Sequence, residues 1–490
     1  MNRQCVHFIG IGGSGISALA LLYIAQGKTV TGSDVAESVF SLEVQAAGGR
    51  VTLGHHGDNV PEGVGLVVFS EAIDKATNPE YVVAQQRGIK TMSYFEALGE
   101  FSKTKKTIVV TGTHGKTTTT AMLGEALIAA GVDPTVIVGT RVPSFTQCHS
   151  EPRRGEESPK SPSYSKLRHG GDSSSASGRT QNDTRGSNLY IGKSEWFVVE
   201  GCEYRRSFLN FHPFGVVMLN CEAEHLDYYK DEEDYRNAFR ELMMKIPTCH
   251  SRAGGNLGSD SLLQGNDKGG FLVINGKDKN LNQVAEEFRG HLIRVDEAVG
   301  LQLTVPGKFN EWNAACALAA AMQVGAEEGV TRRALEAYCG SGRRMEVKGE
   351  AKGMTLVDDY GHHPTEVRLT LEALKQKYPG RRLICVFQPH QYSRTHQLLD
   401  QFKTSFGAAD YVIIPNIYEA RDSAEDKMKI SAESLVAAIG EKHPHVEWGR
   451  DFATTQTRLK DLLKPGDVLV TMGAGDIGTF AEQVLDNIFF

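Results

Sequence analysis

Short apolar runs, each closed by glycine or a polar turn and followed by a longer apolar or amphipathic stretch, recur along the chain. Val6–Ile9, Thr29–Gly32 and Leu66–Ser70 read as buried strands, with Ile16–Ala25 as an apolar helix between the first two. Further on, Thr107–Val110, Trp196–Val199 and Val216–Leu219 read as strands, and Thr120–Ala130 as a helix. The last third gives strands at Thr355–Val357, Leu383–Phe387, Tyr411–Pro415 and Val468–Thr471. Helical patterns such as Pro364–Lys375 and Leu398–Phe406 separate them, and an amphipathic helix ends the chain. Strands alternating with helices predict an α/β protein built on parallel sheets. The pattern falls into three blocks: a Rossmann-like domain at 1–103, a central P-loop ATPase-type domain at 104–338, and a Rossmann-like domain at 339–490.

Two stretches interrupt the pattern. Residues 142–188 and 249–268 are rich in Ser, Gly, Pro, Arg and Asp and poor in aliphatics. Such segments bury too little apolar area to offset their ordering entropy, so they read as surface insertions. Removal of 144–186 is therefore expected to leave activity within a few-fold. A net charge of −7 argues against nucleic acid as a partner. No apolar run reaches the roughly 18 residues of a membrane span, which gives a cytoplasmic expectation with no membrane insertion. The eight cysteines include no CxxC, and several sit in apolar patterns where reduced core thiols are expected. Cys148-His149 and Cys249-His250 lack further ligands at metal-site spacing, which disfavours zinc.

Candidate chemistry begins at Thr111-Gly-Thr-His-Gly-Lys-Thr-Thr-Thr119, set between a strand and a helix. Backbone N–H groups of a tight loop and a helix N-terminus suit phosphates. Lys116 can lie against β/γ-phosphates and Thr117 can ligate Mg²⁺. Val110 stands where the full P-loop pattern has its first glycine. Near the start, Gly10-Ile-Gly12-Gly-Ser-Gly15 follows a strand and opens a helix, with Asp34 downstream, the dinucleotide-binding arrangement. Glu200 and His225 follow strands of the central block, where ligands of open α/β sheets gather; with Thr117 they form a candidate Mg²⁺ set. Gly473-Ala-Gly475-Asp-Ile-Gly478 admits either close packing or an anionic ligand.

These motifs, in this order, resemble those of the Mur ligases, the ATP-dependent amide-forming enzymes of peptidoglycan synthesis. The resemblance spans nearly the whole chain outside the two insertions. It rests on His7–Gly15, Gly112–Thr119, Asn220-Cys-Glu-Ala-Glu-His-Leu-Asp227, Gly307-Lys-Phe-Asn310-Glu-Trp-Asn313, Arg343-Arg344, Asp358-Asp-Tyr-Gly-His-His-Pro-Thr-Glu366 and Phe387-Gln-Pro-His390-Gln-Tyr-Ser-Arg394. It implies a ligase joining L-alanine to UDP-N-acetylmuramate through an acyl phosphate, as a monomer or homodimer. ATP would meet Gly112, Thr113, His114, Gly115, Lys116, Thr117, Thr118, Asn310, Asn313, Arg344 and Asp359. Thr117 and Glu200 would hold one Mg²⁺ and His225 a second. His390 and Arg394 would hold the reacting carboxylates, with His363 nearby. Gly10, Gly12, Gly13, Ser14, Gly15, Asp34 and Ser70 would meet the UDP-sugar.

The chain departs from the family pattern at four places. Residues 201–206 carry Tyr204 and Arg205 where acids are common, which implies a less negative field. Glu224 stands for Asp, Gln391 for a frequent Arg, and Glu71 for a small residue. Two other readings remain: a ligase that recycles a whole tripeptide, and an NAD-dependent oxidoreductase or nucleotide-sensing module built on Gly10–Gly15.

Overall fold

The structure is a computed structural model that describes residues 5–145, 186–222, 224–225, 228–248 and 269–489. Three sheets follow one another along the chain. The first contains β1 (Cys5–Ile9), β2 (Thr29–Asp34), β3 (Arg50–Leu53), β4 (Val64–Phe69) and β5 (Thr91–Ser93), in the order β3-β2-β1-β4-β5 with parallel pairing throughout. Chain direction across this sheet reverses between β1 and β4, and that switch point opens a crevice at the strand ends.

The second sheet contains β6 (Lys106–Thr111), β7 (Thr135–Val142), β8 (Ser187–Tyr190), β9 (Trp196–Glu200), β10 (Pro213–Met218), β11 (Phe271–Asn275) and β12 (His291–Val295). Its order is β12-β11-β10-β6-β9-β7-β8, parallel except where β8 runs against β7. Central β6 is apolar without alternation because both faces are covered; Ile108, Val109 and Val110 are all fully buried. The helix Lys116–Ala129 packs Met122, Leu123, Ala126 and Leu127 into the same core as Ala314, Ala317 and Ala321 of the helix Lys308–Val324. The third sheet contains β13 (Glu346–Ala351), β14 (Met354–Asp359), β15 (Leu383–Phe387), β16 (Tyr411–Ile414), β17 (Val446–Trp448) and β18 (Val468–Met472). Its order is β13-β14-β18-β15-β16-β17, with only β13 antiparallel to its neighbour.

The helix after the phosphate loop starts at Lys116, four residues before the apolar run suggests. Four consecutive threonines, Thr117–Thr120, oppose a helix by propensity, yet all are buried and tertiary packing decides. The expected helix Leu398–Phe406 shortens to Leu399–Phe402 and continues as turns.

The first insertion is narrower than its composition suggests. Val142 ends β7, the Phe145 ring is fully buried, and Ser187 and Asn188 open β8. Residues 146–185 lie outside the described residues, as do the second insertion, 249–268, and both Cys-His pairs. Deleting 144–186 would therefore take a core aromatic with it, and tolerance is no longer expected. Elsewhere Cys221, Cys316 and Cys385 are buried thiols, as expected of core cysteines.

The Gly473–Gly478 glycines serve close packing. A Cβ at Gly473 would stand 2.5 Å from the Gln388 carbonyl oxygen, and one at Gly478 would stand 2.8 Å from the Arg343 guanidinium carbon. The last two strands of the middle sheet, β7 and β8, contact the other two domains. Asn188 donates to the Ser14 carbonyl and the Ser17 hydroxyl beside the first crevice. Past β7's midpoint, the Arg141 carbonyl accepts from Gly342 N–H at 2.8 Å, and Thr140 donates to the Gly342 carbonyl at 2.9 Å. Among the described residues no helix is long and apolar enough to cross a membrane.

Truncating Phe145 to alanine is expected to cost about 3–5 kcal/mol, the usual range for a buried phenylalanine. Urea unfolding of the purified variant reads this directly; a cost below about 1 kcal/mol would place the ring outside the core.

Candidate active site at the seam of the middle and third domains

The phosphate loop leaves β6 and turns twice through left-handed backbone, at Gly112 (φ +142°) and Gly115 (φ +84°). Asn220, at the end of β10, fixes its shape. The Asn220 side-chain oxygen accepts from His114 N–H at 2.8 Å, and its amide donates to the His114 carbonyl at 3.1 Å. Thr113 donates to the Glu222 carbonyl at 2.7 Å. Lys116 Nζ donates to the carbonyls of Gly112 (2.6 Å) and Thr113 (3.0 Å) and pairs with Glu203 at 2.9 Å. Burial opposes its charge, but Glu203 beside it holds Lys116 above its ordinary range.

Glu200 and Glu203 lie three residues apart after β9 and do different things. Glu200 accepts from Thr117 Oγ1 at 3.0 Å and from Gly139 N–H at 2.6 Å. Burial raises its carboxyl, with the Gly139 bond and Arg344 opposing. Glu203 is 1% exposed and its carboxyl is lowered, since Lys116 and then His225 outweigh burial. His225 Nε2 stands 3.4 Å from Glu203 and 3.8 Å from Glu224. Tyr204 and Arg205 follow Glu203, whose carboxylate is buried at the centre of this cluster. Thr117 and Glu200 form one oxygen pair, and His225 groups instead with Glu203 and Glu224, whose ligand atoms all lie within 4.8 Å of one another.

The third domain reaches this cluster from the other side. Arg344 comes within 3.4 Å of the Thr117 hydroxyl. Arg394 pairs with Glu224 at 3.2 Å, and its other terminal nitrogen lies 3.3 Å from His390 Nδ1. His390 stacks on Tyr418 with centroids 5.4 Å apart. Burial, then His362, Arg394 and Arg421, depress its pKa to about 3, so its imidazole is neutral at pH 7. It can hold a carboxylate by hydrogen bonding and not by charge. Gln391 points away from the cluster and donates to the Ala420 carbonyl at 2.8 Å. An arginine clamp is not available there. Asp359 accepts from the Met345 and Gly361 N–H groups, both at 2.8 Å, and burial raises its pKa to about 6.

His114 bridges the two domains. Its Nε2 meets Glu222 at 2.9 Å and its Nδ1 meets Glu366 of the third domain at 3.2 Å. Burial lowers its pKa, but Glu366 and then Glu222 carry it to about 10. Glu366 is the stronger partner because it is 15% exposed, against 50% for Glu222, whose charge water screens. The neighbouring His363, its ring 4.8 Å away and inclined by 44°, is pushed to about 4 by burial and by charged His114.

A cavity of about 310 Å³ opens beside the loop. His114, Gly115, Thr118, Asn310, Asn313, Arg344 and Asp359 line it, while Gly112, Thr113, Lys116 and Thr117, also expected around a nucleotide, are not among its lining residues. The loop turns so closely under Asn313 that a Cβ on Gly115 would stand 2.6 Å from its side-chain oxygen. Phe309 and Tyr338 add aromatic surface that the sequence motifs did not single out.

The first-domain residues gather at the switch-point crevice. Gly12 N–H donates to Asp34 at 2.7 Å, and Gly10 adopts φ +79° against Ser70, whose Cβ would stand 2.9 Å from an added Cβ. Gly13 precedes the helix Ser14–Ala25 without a side-chain cap, and Gly15 lies against the Tyr94 hydroxyl.

Three models of one family match successive parts of the chain: "Mur ligase family, catalytic domain" over 5–106, "Mur ligase middle domain" over 110–321, and "Mur ligase, glutamate ligase domain" over 343–475. Similar full-length proteins include UDP-N-acetylmuramate–L-alanine ligases of Clostridium novyi (34% identical, covering 99% of this chain and 98% of that protein) and Caldanaerobacter subterraneus (34%, covering 98% and 97%). The fold is similar to that of the alanine ligase MurC from Thermotoga maritima (TM-score 0.72, 22% identical, 99% of each chain covered). It is also similar to that of a murein peptide ligase from Psychrobacter arcticus (TM-score 0.67, 21% identical, covering 99% and 98%).

The His114 bridge carries a pH signature. Its folded pKa of about 10 exceeds its ordinary 6.5, so its contribution to stability is complete below pH 6.5 and is lost as pH rises through 10. His114→Asn is expected to lower the thermal midpoint at pH 6.5, with the gap to the parent closing by pH 10. A gap that stays constant across that window would mean that the bridge is not charged.

Proposed function

The chain belongs to the Mur ligase family, and from that premise we propose that it uses ATP to join L-alanine to UDP-N-acetylmuramate in cytoplasmic peptidoglycan precursor synthesis. One observation carries this reading: an unbroken run of contacts crosses the seam. Lys116 meets Glu203, Glu203 meets His225, His225 meets Glu224, and Glu224 meets Arg394. A carboxylate activated by phosphate needs a phosphate-binding and a carboxylate-binding cation in one site, and this run joins Lys116 at one end to Arg394 at the other.

In this reading the substrate carboxylate attacks the γ-phosphorus and ADP leaves. The amine of L-alanine then attacks the acyl carbon and phosphate leaves. Lys116 neutralises the β/γ-phosphates once they displace Glu203 from it. Asn310, Asn313, Arg344 and Asp359 position the nucleotide in the adjoining cavity. Arg394 supplies charge, and neutral His390 a hydrogen bond, to the reacting carboxylates. The first-domain glycines with Asp34 and Ser70 hold the UDP portion. Docking of the third domain excludes water from a hydrolysable intermediate.

Mg²⁺ fits the donors present. Thr117 and Glu200 offer hard oxygens, and His225 Nε2 faces the carboxylates of Glu203 and Glu224, the ligand atoms of all three lying within 4.8 Å of one another. Thr117 with Glu200, and His225, would hold the ions, which when bound supply charge neutralisation and polarise the transferring phosphoryl group.

Phosphate release from ATP, Mg²⁺ and UDP-N-acetylmuramate tests the proposal, with L-alanine, glycine, L-serine or L-Ala-γ-D-Glu-diaminopimelate offered separately. Release that needs L-alanine and the UDP-sugar is expected. Release only with the tripeptide would reassign the chain to recycling. Lys116→Ala should lower turnover by at least about 10²–10³-fold. UDP-N-acetylmuramate binding by calorimetry should be nearly unchanged, since the sugar site sits on another sheet.

A further inference from the structure

Resting on the reading that His225 is a metal ligand, we infer that Tyr204 is the positioning residue for His225 and that Arg421 ties this placement to docking of the third domain. Metal-binding imidazoles ordinarily have their second ring nitrogen fixed by a hydrogen bond. Here Nδ1 of His225 is buried without such a partner among the described groups, and its backbone is left-handed at φ +56°. Something else must orient the ring. Tyr204 packs on it, centroids 4.8 Å apart and planes inclined by 48°.

Tyr204 is itself held firmly. Arg205 and Arg206, which follow it, both adopt left-handed backbone, at φ +51° and +56°. Asp234 and Glu241 anchor Arg206, and Ser207 donates to the Tyr204 carbonyl at 2.8 Å. The turn therefore presents the ring from a rigid base.

Arg421 comes from the third domain. Its guanidinium lies 4.4 Å over the Tyr204 ring, so cation, phenol and imidazole stack in series across the seam. The neighbour Asp422 accepts from Ser393 N–H and Oγ, both at 3.0 Å, on the helix that carries Arg394. Tyr418, three residues earlier, stacks on His390. One rigid loop thus brings Arg421 to Tyr204 as the same domain brings His390 and Arg394 to the reacting groups.

The test uses the full chain carrying Tyr204→Phe, Tyr204→Ala, Arg421→Gln, the Ala/Gln double variant, and His225→Ala. Mn²⁺ binding is followed by electron paramagnetic resonance with a non-hydrolysable ATP analogue, and circular dichroism checks folding. His225→Ala and Tyr204→Ala are expected to weaken Mn²⁺ binding by about 10-fold or more. Tyr204→Phe should keep parental affinity because the ring, not the hydroxyl, does the positioning. Arg421→Gln should give a smaller loss, and the double variant should be no worse than Tyr204→Ala. If His225→Ala weakens binding but a folded Tyr204→Ala does not, or if Tyr204→Phe matches Tyr204→Ala, the positioning role is wrong while the metal role stands. Additive losses in the double variant would remove Arg421. Unchanged Mn²⁺ binding in His225→Ala would overturn the metal reading and this inference with it.

Discussion

Four glutamates, Glu200, Glu203, Glu224 and Glu366, are withdrawn from water where the middle and third sheets meet, and the site depends on how their charge is balanced. Desolvating a carboxylate costs several kcal/mol unless a cation and hydrogen bonds compensate. Lys116 and His114 supply cations from the middle domain; Arg344 and Arg394 supply them from the third. Three of the four cations lie across the seam from the carboxylate they compensate: Arg344 beside Glu200, Arg394 on Glu224 and His114 on Glu366. The third domain thus takes part in this balance, and charged pairs cross the interface alongside the hydrogen bonds at Gly342. Ligands bearing phosphate and carboxylate groups enter a site already poised with cations whose present partners they can replace.

The same balance leaves one histidine of the seam cationic and two neutral. His114, between two carboxylates, is cationic. His363, 4.8 Å from it, is held neutral by burial and then by that charge. His390 is neutral chiefly through burial as well, with His362, Arg394 and Arg421 adding to it. A nearly uniform residue type thereby provides a bridge, a spacer and a hydrogen-bonding group without change of side chain.

Features that are contiguous in sequence were legible. The strand, glycine loop and helix around Lys116 lie within about two dozen residues, and the structure assembles them locally. The crevice at Gly10–Gly15 with Asp34 is similarly short-range. Glu203 was not singled out, because nothing in its local sequence marks a carboxylate buried beside Lys116. Phe145 and Asn188 were hidden in a polar window whose average says nothing about a single buried ring or amide. Arg421 left no sequence signal, since its partner Tyr204 is more than two hundred residues away. The neutrality of His390 likewise depends on neighbours that only the fold assembles.

The first insertion departs and returns at one rung of a ladder. Val142 pairs with Ser187 across antiparallel β7 and β8, and neither residue lines the cavity. Closing a loop becomes only logarithmically harder as it lengthens, so the hairpin sets almost no limit on what it tethers. Natural drift in length is cheap at such a place. So is grafting: a fluorescent protein or an affinity module whose termini lie close together can be spliced between these paired strands, making the enzyme its own reporter.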